Sequence, residues 1–351
     1  MTPYFVVLVF ILCCAIIDRN SHSSGIKTIV FVVLTLFAGL RYNVGIDYVH
    51  YINIYESKTG YEMLREPGRA IMVNFVKAIG GASQSYIFVM ALITEYFSYQ
   101  ILIKNEKRDF WLLTILFYCV SLFYIASFNA SRQYMAIAFM IWSMKYIEED
   151  KWKFFLCSII AGFGFHFSAL MFLPLYFFIK YPHKKWHLLL GIVVVLMANK
   201  LVFRFLEMTP YAKYESWVYN DVRENSVQPA QILLLLISFG LMLFDRFFKY
   251  FKNNTVLVNL NALCFYTLLL VVIQDNSSFI MLFQRFNNYF VFSYLLIIPS
   301  ILNSMKKTNK YISKVCIVFV SIGYLILTVV VKGEHHMIVP YDINLHLFTF
   351  L

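Results

Sequence analysis

The chain has no internal repeat, no low-complexity tract and no polar stretch long enough for a soluble domain, and only 14% of its 351 residues are charged. Repeat arrays, disordered linkers and multidomain soluble enzymes are thereby excluded. Acidic residues are scarce, 19 against 30 Lys and Arg, for a formal net charge of +11. A basic excess can mark a nucleic-acid binder, but here it falls in short clusters between apolar runs, so membrane orientation explains it better and no nucleic-acid partner is expected. Cysteine offers no framework either. Cys13, Cys14, Cys119, Cys157, Cys264 and Cys316 all lie inside apolar runs, without metal-ligand spacing in a polar loop, and read as packing residues. The opening "MTPYFVVLVFILCCAII" lacks a basic n-region and a small-residue cleavage site, so it reads as a retained first span.

What fills the chain is hydrocarbon. Hydrophobic residues make up 60% of it, mean hydropathy is +0.68, and the apolar residues come in long runs; this is the mark of an all-α polytopic membrane protein. Candidate spans are 3–17, 26–40, 84–103, 109–126, 133–147, 154–165, 168–180, 187–206, 229–244, 256–273, 286–303 and 312–331. Alternate connections are basic: Arg19/Lys27, Lys104/Lys107/Arg108, Lys145/Lys151/Lys153, Lys180/Lys184/Lys185, Arg246/Lys249/Lys252 and Lys306/Lys307/Lys310/Lys314. Lys and Arg collect on the cytoplasmic side, which orients about twelve transmembrane helices, eleven to fourteen being allowed, with both termini outside. Segment 70–80, ended by "GGASQS", is then a re-entrant or interfacial helix. Fusing 154–165 with 168–180 would invert everything downstream, so a tight outer turn at His166 separates them. The chain reads as a single integral membrane domain over 1–351, with outer loops 41–69, 127–132, 207–228, 274–285 and 332–351.

Eighteen of the 30 basic residues belong to the six cytoplasmic clusters, and only Arg19, Arg108 and Arg246 of those are arginines. The other twelve include Arg41, Arg65, Arg69, Arg132, Arg204, Arg223 and Arg285. Orientation requires only positive charge, which lysine supplies. Guanidinium forks additionally bind phosphate and carboxylate in bidentate fashion and tolerate partial desolvation. Arg41, Arg69, Arg132 and Arg285 lie where an outer loop meets an apolar run, at the depth of a lipid-linked diphosphate. Singly, each could snorkel to headgroups or pair with Asp47, Glu66 or Asp275. Together they favour an anionic ligand.

Several fragments carry a resemblance: "RYNVGIDYVHY" after the second span, "REPGRA" before the next apolar run, "NASRQYMAIAF" opening a later span, "FHFSALMFLPLY", a late "QRFNNYF" and a weaker closing "IVPY". In this order they resemble the EpsG-like branch of Wzy-type polysaccharide polymerases, the O-antigen and exopolysaccharide polymerases of bacteria. The first 180 or so residues match well, and the rest more by topology. The resemblance implies a metal-independent glycosyltransferase without cofactor on the outer face of the bacterial inner membrane. It would move a growing glycan from undecaprenyl diphosphate onto an undecaprenyl-diphosphate-linked repeat. Its expected partners are that lipid-linked oligosaccharide, membrane lipid and a chain-length-regulating polysaccharide co-polymerase.

Such chemistry must stabilise charge growing on the departing diphosphate and take a proton from the attacking sugar hydroxyl. No "DxD"-like metal site occurs in an outer loop, so arginines are expected in place of a metal. Arg132, with Gln133 beside it, opens a span whose first turn offers free N–H groups, and it is assigned to the diphosphate with Arg41, Arg285 and Arg69 as partners. Asp47, behind the turn-permitting Gly45, is a base, a sugar-hydroxyl acceptor or the counter-ion of Arg41. His166 in "GFHFS" is the sharpest candidate for proton transfer or else a structural histidine, and Glu66 is a second base. Glu95 is an expensive carboxylate within 84–103. Tyr211, Tyr214, Trp217 and Tyr219, with Tyr341, offer faces to sugar rings, as an interface belt also would.

A flippase or transporter for the same lipid-linked sugar would need ionisable groups along a path through the bilayer, whereas all but Glu95, Lys77 and Lys200 sit at span ends. A membrane acyltransferase would need donor access from the cytoplasm. A ligase of finished glycan is chemically closer still.

Overall fold

The computed structural model describes residues 1–21, 23–56, 66–104, 110–120, 122–173, 175–181, 190–197, 227, 229–248, 254–273 and 277–348. They are overwhelmingly helical, and among them Ser83–Ile103, Thr255–Val272 and Lys307–Val331 are long and apolar enough to cross a membrane, with shorter apolar helices beside them. Hydrocarbon supplies no hydrogen bonds to a backbone, so apolar runs of this kind close their own ladders as helices. The chain is an all-α membrane protein. It divides into two compact units, Met1–Leu173 with Lys306–Leu351, and Pro174–Met305.

The first unit begins with α1 (Thr2–Ser21) and α2 (Ser24–Gly39). The buried Asp18 carboxylate closes the turn between them, accepting from Ser23 N at 2.5 Å and from Trp111 Nε1 at 2.9 Å. A two-residue strand β1 (Arg41–Tyr42) and a short helix α3 (Tyr48–Glu56) follow, then α4 (Pro67–Ala78) and α5 (Ser83–Lys104). The expected re-entrant or interfacial segment is α4, which buries Arg69, Met72, Val73 and Val76 at helical spacing and exposes Ile71 and Phe75. Next come α6 (Phe110–Cys119), α7 (Ala126–Asn129), α8 (Ser131–Glu148) and α9 (Trp152–Phe165). Buried tyrosines fasten this bundle by donating to backbone carbonyls of neighbouring elements: Tyr118 to Tyr4 at 2.8 Å, Tyr124 to Leu34 at 2.6 Å and Tyr4 to Ile338 at 2.8 Å.

Two pairings position the site. Helices α2 and α5 run antiparallel, Gly39 against the Phe88 ring at one end and Phe31 stacked on Tyr99 at 4.9 Å toward the other. Helices α8 and α9 form a tight hairpin turned at Asp150 (φ 58°), with Phe139 stacked on Phe165 at 5.8 Å. The last turn of α9 therefore lies beside Ala136 and Phe139, in the first half of α8.

The C-terminal segment folds back as a strap. After the second unit, α15 (Lys307–Ile326) and a π turn (Leu327–Val331) lead into strand β2 (Asp342–Ile343), which pairs antiparallel with β1, Arg41 facing Ile343. Met337 accepts from Gly45 N at 2.7 Å, Leu40 from Asn344 N at 2.8 Å and Leu347 from Ala82 N at 2.8 Å. The closing "IVPY" thus lies against the "RYNVGIDY" loop, a pairing across some 300 residues that no local pattern announces.

Some spans are shorter or broken. The 109–126 span ends as a helix at Cys119. The 168–180 span is a 3-10 helix (Phe167–Phe172) and α10 (Leu175–Lys180). The 286–303 span is two helices, α13 (Ser277–Val291) and α14 (Tyr294–Ser304); at the break the Ser293 hydroxyl donates to the Phe290 carbonyl at 2.5 Å, a local bond that competes with the helix ladder. Of 187–206 only 190–197, which is helical, is described.

In the second unit α12 (Thr255–Val272) is buried between α11 (Pro229–Phe248) and α13 and carries polar side chains inward. Asn259 Nδ2 caps the end of α10 through the carbonyls of Phe178, Ile179 and Tyr181, and Thr267 donates to Asn287 Oδ1 at 2.8 Å.

Candidate functional site

Glu66 stands just before α4, whose Pro67 presets the first helical turn. Its Oε2 accepts from Arg132 Nη1 at 2.5 Å and lies 3.8 Å from Arg69 Nη1, one turn along α4. Two guanidiniums share one carboxylate in a largely buried place. The Arg132 side chain is 22% exposed, and those of Arg69 and Glu66 are 4% and 11% exposed. Arg132 Nε is buried and has no hydrogen-bond partner. Two tyrosines flank the cluster: the Tyr51 ring lies 5.7 Å from the Arg132 guanidinium carbon, and the fully buried Tyr86 has Arg132, Arg69, Glu66 and Tyr51 as electrostatic neighbours. Burial holds the Tyr51 phenol above its ordinary pKa and Asp47 adds to the rise, while Arg132 opposes it.

Why "REPG" and "GFHFS" come together is visible in two glycines. A Cβ on Gly68 would stand 2.9 Å from the Gly164 carbonyl group, so α4 crosses α9 backbone to backbone at a point only two glycines allow. His166, two residues further, ends α9 in an extended conformation (φ −152°, ψ 123°) and caps the 3-10 helix. The hairpin of α8 and α9 sets it at the Arg132 end. Its Nδ1 lies 2.6 Å from Ser168 Oγ and accepts from Ser168 N at 3.4 Å. An N–H donor on Nδ1 assigns the neutral ring's proton to Nε2, so the accepting nitrogen faces Ser168.

Arg41 has a different environment. It is 2% exposed, sits 4.8 Å from the Phe128 ring centroid, and donates through Nε to Val44 O at 3.3 Å, through Nη1 to Ala38 O, and through Nη2 to Ser131 Oγ at 3.0 Å. Those bonds staple the end of α2 and its following loop to the first residue of α8. Burial disfavours the Arg41 cation, which the oxygens of Tyr51, Tyr341, Tyr124 and Tyr48 support in turn. Gly45 does provide the expected turn, at φ 99°, with its missing Cβ leaving room for the Phe128 carbonyl. Asp47 opens α3, half-buried, its carbonyl accepting from Tyr51 N at 3.0 Å.

The structure thus brings Glu66, Arg69, Arg132 and the "GFHFS" turn together, with Gln133 buried in the same first turn of α8. Arg285, half-buried on α13, belongs to the other unit. Tyr211 and Trp217 lie outside the described residues. Tyr341 stacks on Phe37 at 4.2 Å and donates to the Phe37 carbonyl, so one ring face and its hydroxyl proton are already engaged. Glu95 is buried on α5 with Oε1 unpartnered. Sequence reasoning passed over Tyr86 because "QSYIF" looks like any aromatic interface position; its proximity to Arg132 is set by the packing of α5 on α8.

The cluster of cations on a carboxylate thus sits at the junction of polar loops and apolar helices of a membrane protein. The sequence model of the EpsG family matches residues 26–343, and the chain belongs to that family. No curated protein and no solved structure matches it.

Proposed function

We propose that this chain is a polysaccharide polymerase of the bacterial inner membrane, for O-antigen or exopolysaccharide, working on the outer face. It transfers the growing glycan from undecaprenyl diphosphate to the end sugar of another undecaprenyl-diphosphate-linked repeat. The anomeric bond to phosphate breaks, a bond to the acceptor oxygen forms, the hydroxyl proton goes to a base and the diphosphate departs with its lipid. The observation that carries this reading is the Glu66–Arg69–Arg132 cluster, in which two guanidiniums approach one carboxylate oxygen and Arg132 keeps a donor in reserve. Membership of the EpsG family supports the same class of chemistry.

In this reading Arg132 and Arg69 take the diphosphate, with Gln133 beside them. Glu66 holds the arginines apart and charged until substrate arrives, since both claim its Oε2. His166 accepts the proton through the Ser168 hydroxyl on its Nδ1, and Asp47 orders the loop. Loop 207–228 shapes sugar choice. About twelve spans with both termini outside would place this cluster at the outer surface.

Surface glycan in a deletion strain tests the class. Single capped repeats are expected; full-length polymer held on undecaprenyl diphosphate would mark a ligase instead. His166→Gln should keep substrate binding and lower turnover ~10²–10⁴-fold, the usual range for losing a positioned base. Near-normal turnover would transfer the proton role to Asp47 or Glu66. Cysteine introduced at 166 should react with an impermeant thiol reagent from outside, and cysteine at 184 should not.

A further inference from the structure

Buried donors without acceptors are rare in folded proteins, and each calls for a reason. Arg132 and Tyr86, in the same cluster, each carry one. Arg132 Nε has no partner, and a guanidinium nitrogen can only donate. The Tyr86 hydroxyl has none either, although Tyr86 is 0% exposed. Its electrostatic neighbours are Arg132, Arg69, Tyr51 and Glu66. The ring cannot easily turn to find another acceptor, because it stacks on Tyr55 at 5.8 Å and Tyr55 is pinned by its own bond to the Gly81 carbonyl at 2.6 Å.

An orphaned hydroxyl beside a guanidinium is costly in the empty protein and useful only if an anion arrives. We propose that the Tyr86 hydroxyl and the Arg132 Nε–H form a donor pair for one oxygen of the substrate's diphosphate. The proposal rests on the polymerase reading and adds to it a binding residue that carries no charge. The Glu66 carboxylate, 2.5 Å from Arg132 Nη1, occupies the position a phosphate oxygen would take. The ligand then displaces Glu66 from the side where Arg132 is exposed, and the reserve donors close on it.

Tyr86→Phe removes one oxygen and leaves the ring, so the test separates binding from packing. Purified full-length protein in detergent is titrated with farnesyl diphosphate, and the thermal midpoint is read with and without it. The variant's midpoint without ligand should equal or exceed the wild type's, since an unpartnered buried hydroxyl has gone. Its affinity should fall about tenfold or more, the loss expected for one hydrogen bond to a charged group. In an Arg132→Lys background the same change should cost much less, because the two donors serve one oxygen. Wild-type affinity in Tyr86→Phe would overturn the donor pair while leaving the polymerase reading intact, as would a lowered ligand-free midpoint with unchanged affinity. Failure of the wild type to bind farnesyl diphosphate would overturn both.

Discussion

Arg41 reaches the first residue of α8 from the end of α2, and Arg132 leaves the same turn toward α4. The first gives its donors to two backbone carbonyls and a serine hydroxyl and is closed to solvent. The second gives one nitrogen to a carboxylate, retains an unpartnered Nε and stays partly open. Both are arginines at a loop–helix junction, the feature that drew them into one candidate group. Their surroundings separate a staple from a receptor, and the difference lies in acceptors: backbone carbonyls are permanent partners, whereas a carboxylate can be exchanged for another anion.

The sharpest way to break the contrast is to remove the staple. Arg41→Ala would leave the Ala38 and Val44 carbonyls and Ser131 without their donor, and should destabilise the fold by about 3–5 kcal/mol, as loss of a buried charged partner does. Protein should disappear from the membrane fraction on an immunoblot. Arg41→Ala at wild-type abundance with short glycan would instead make Arg41 a binding residue.

A smaller effect is expected where α4 meets α9. Gly68→Ala places a methyl group 2.9 Å from the Gly164 backbone and forces the helices apart, at a cost of about 1–3 kcal/mol. Because that crossing carries "REPG" to "GFHFS", glycan length should shorten more than the loss in thermal midpoint alone explains. An unchanged length would show that the two motifs work without contact.

Glu66→Gln is gentler on packing. It keeps the shape but removes the charge that balances Arg69 and Arg132, so the midpoint should fall by about 1 kcal/mol equivalent while farnesyl diphosphate binds more tightly. Weaker binding would mean that Glu66 contacts substrate and is not its stand-in.

Smallest of all should be Glu95→Gln. A buried carboxyl within α5 whose Oε1 has no partner, out of the Glu66 cluster, loses little by amidation, and both midpoint and polymer length should stay near wild type. A collapse in polymer length would assign Glu95 a part in turnover.

How far this could be read without coordinates depends on the range of the interaction. Apolar runs are local, so most helices were legible, and Gly45 announced its turn because a positive φ favours glycine. The break at Ser293 was not, since neither Pro nor Gly marks it and a hydroxyl-to-carbonyl bond decides it. Nor was the strap of residues 337–347, which has no period of its own and depends on edges offered by Leu40–Gly45 and Ala82. Within the site, composition singled out arginines at junctions but could not rank them. The ranking needs to know which acceptor each guanidinium meets, and for Arg132 that acceptor, Glu66, is 66 residues away.

The most direct measurement compares Arg41→Lys with Arg132→Lys, each scored for thermal midpoint and for surface glycan length. Lysine keeps the charge and loses the fork. Arg132→Lys is expected to melt close to wild type and to leave one or a few repeats per lipid, whereas Arg41→Lys is expected to melt well below it. Long polymer from Arg132→Lys, at normal protein abundance, would contradict the receptor role on which the proposed polymerase rests.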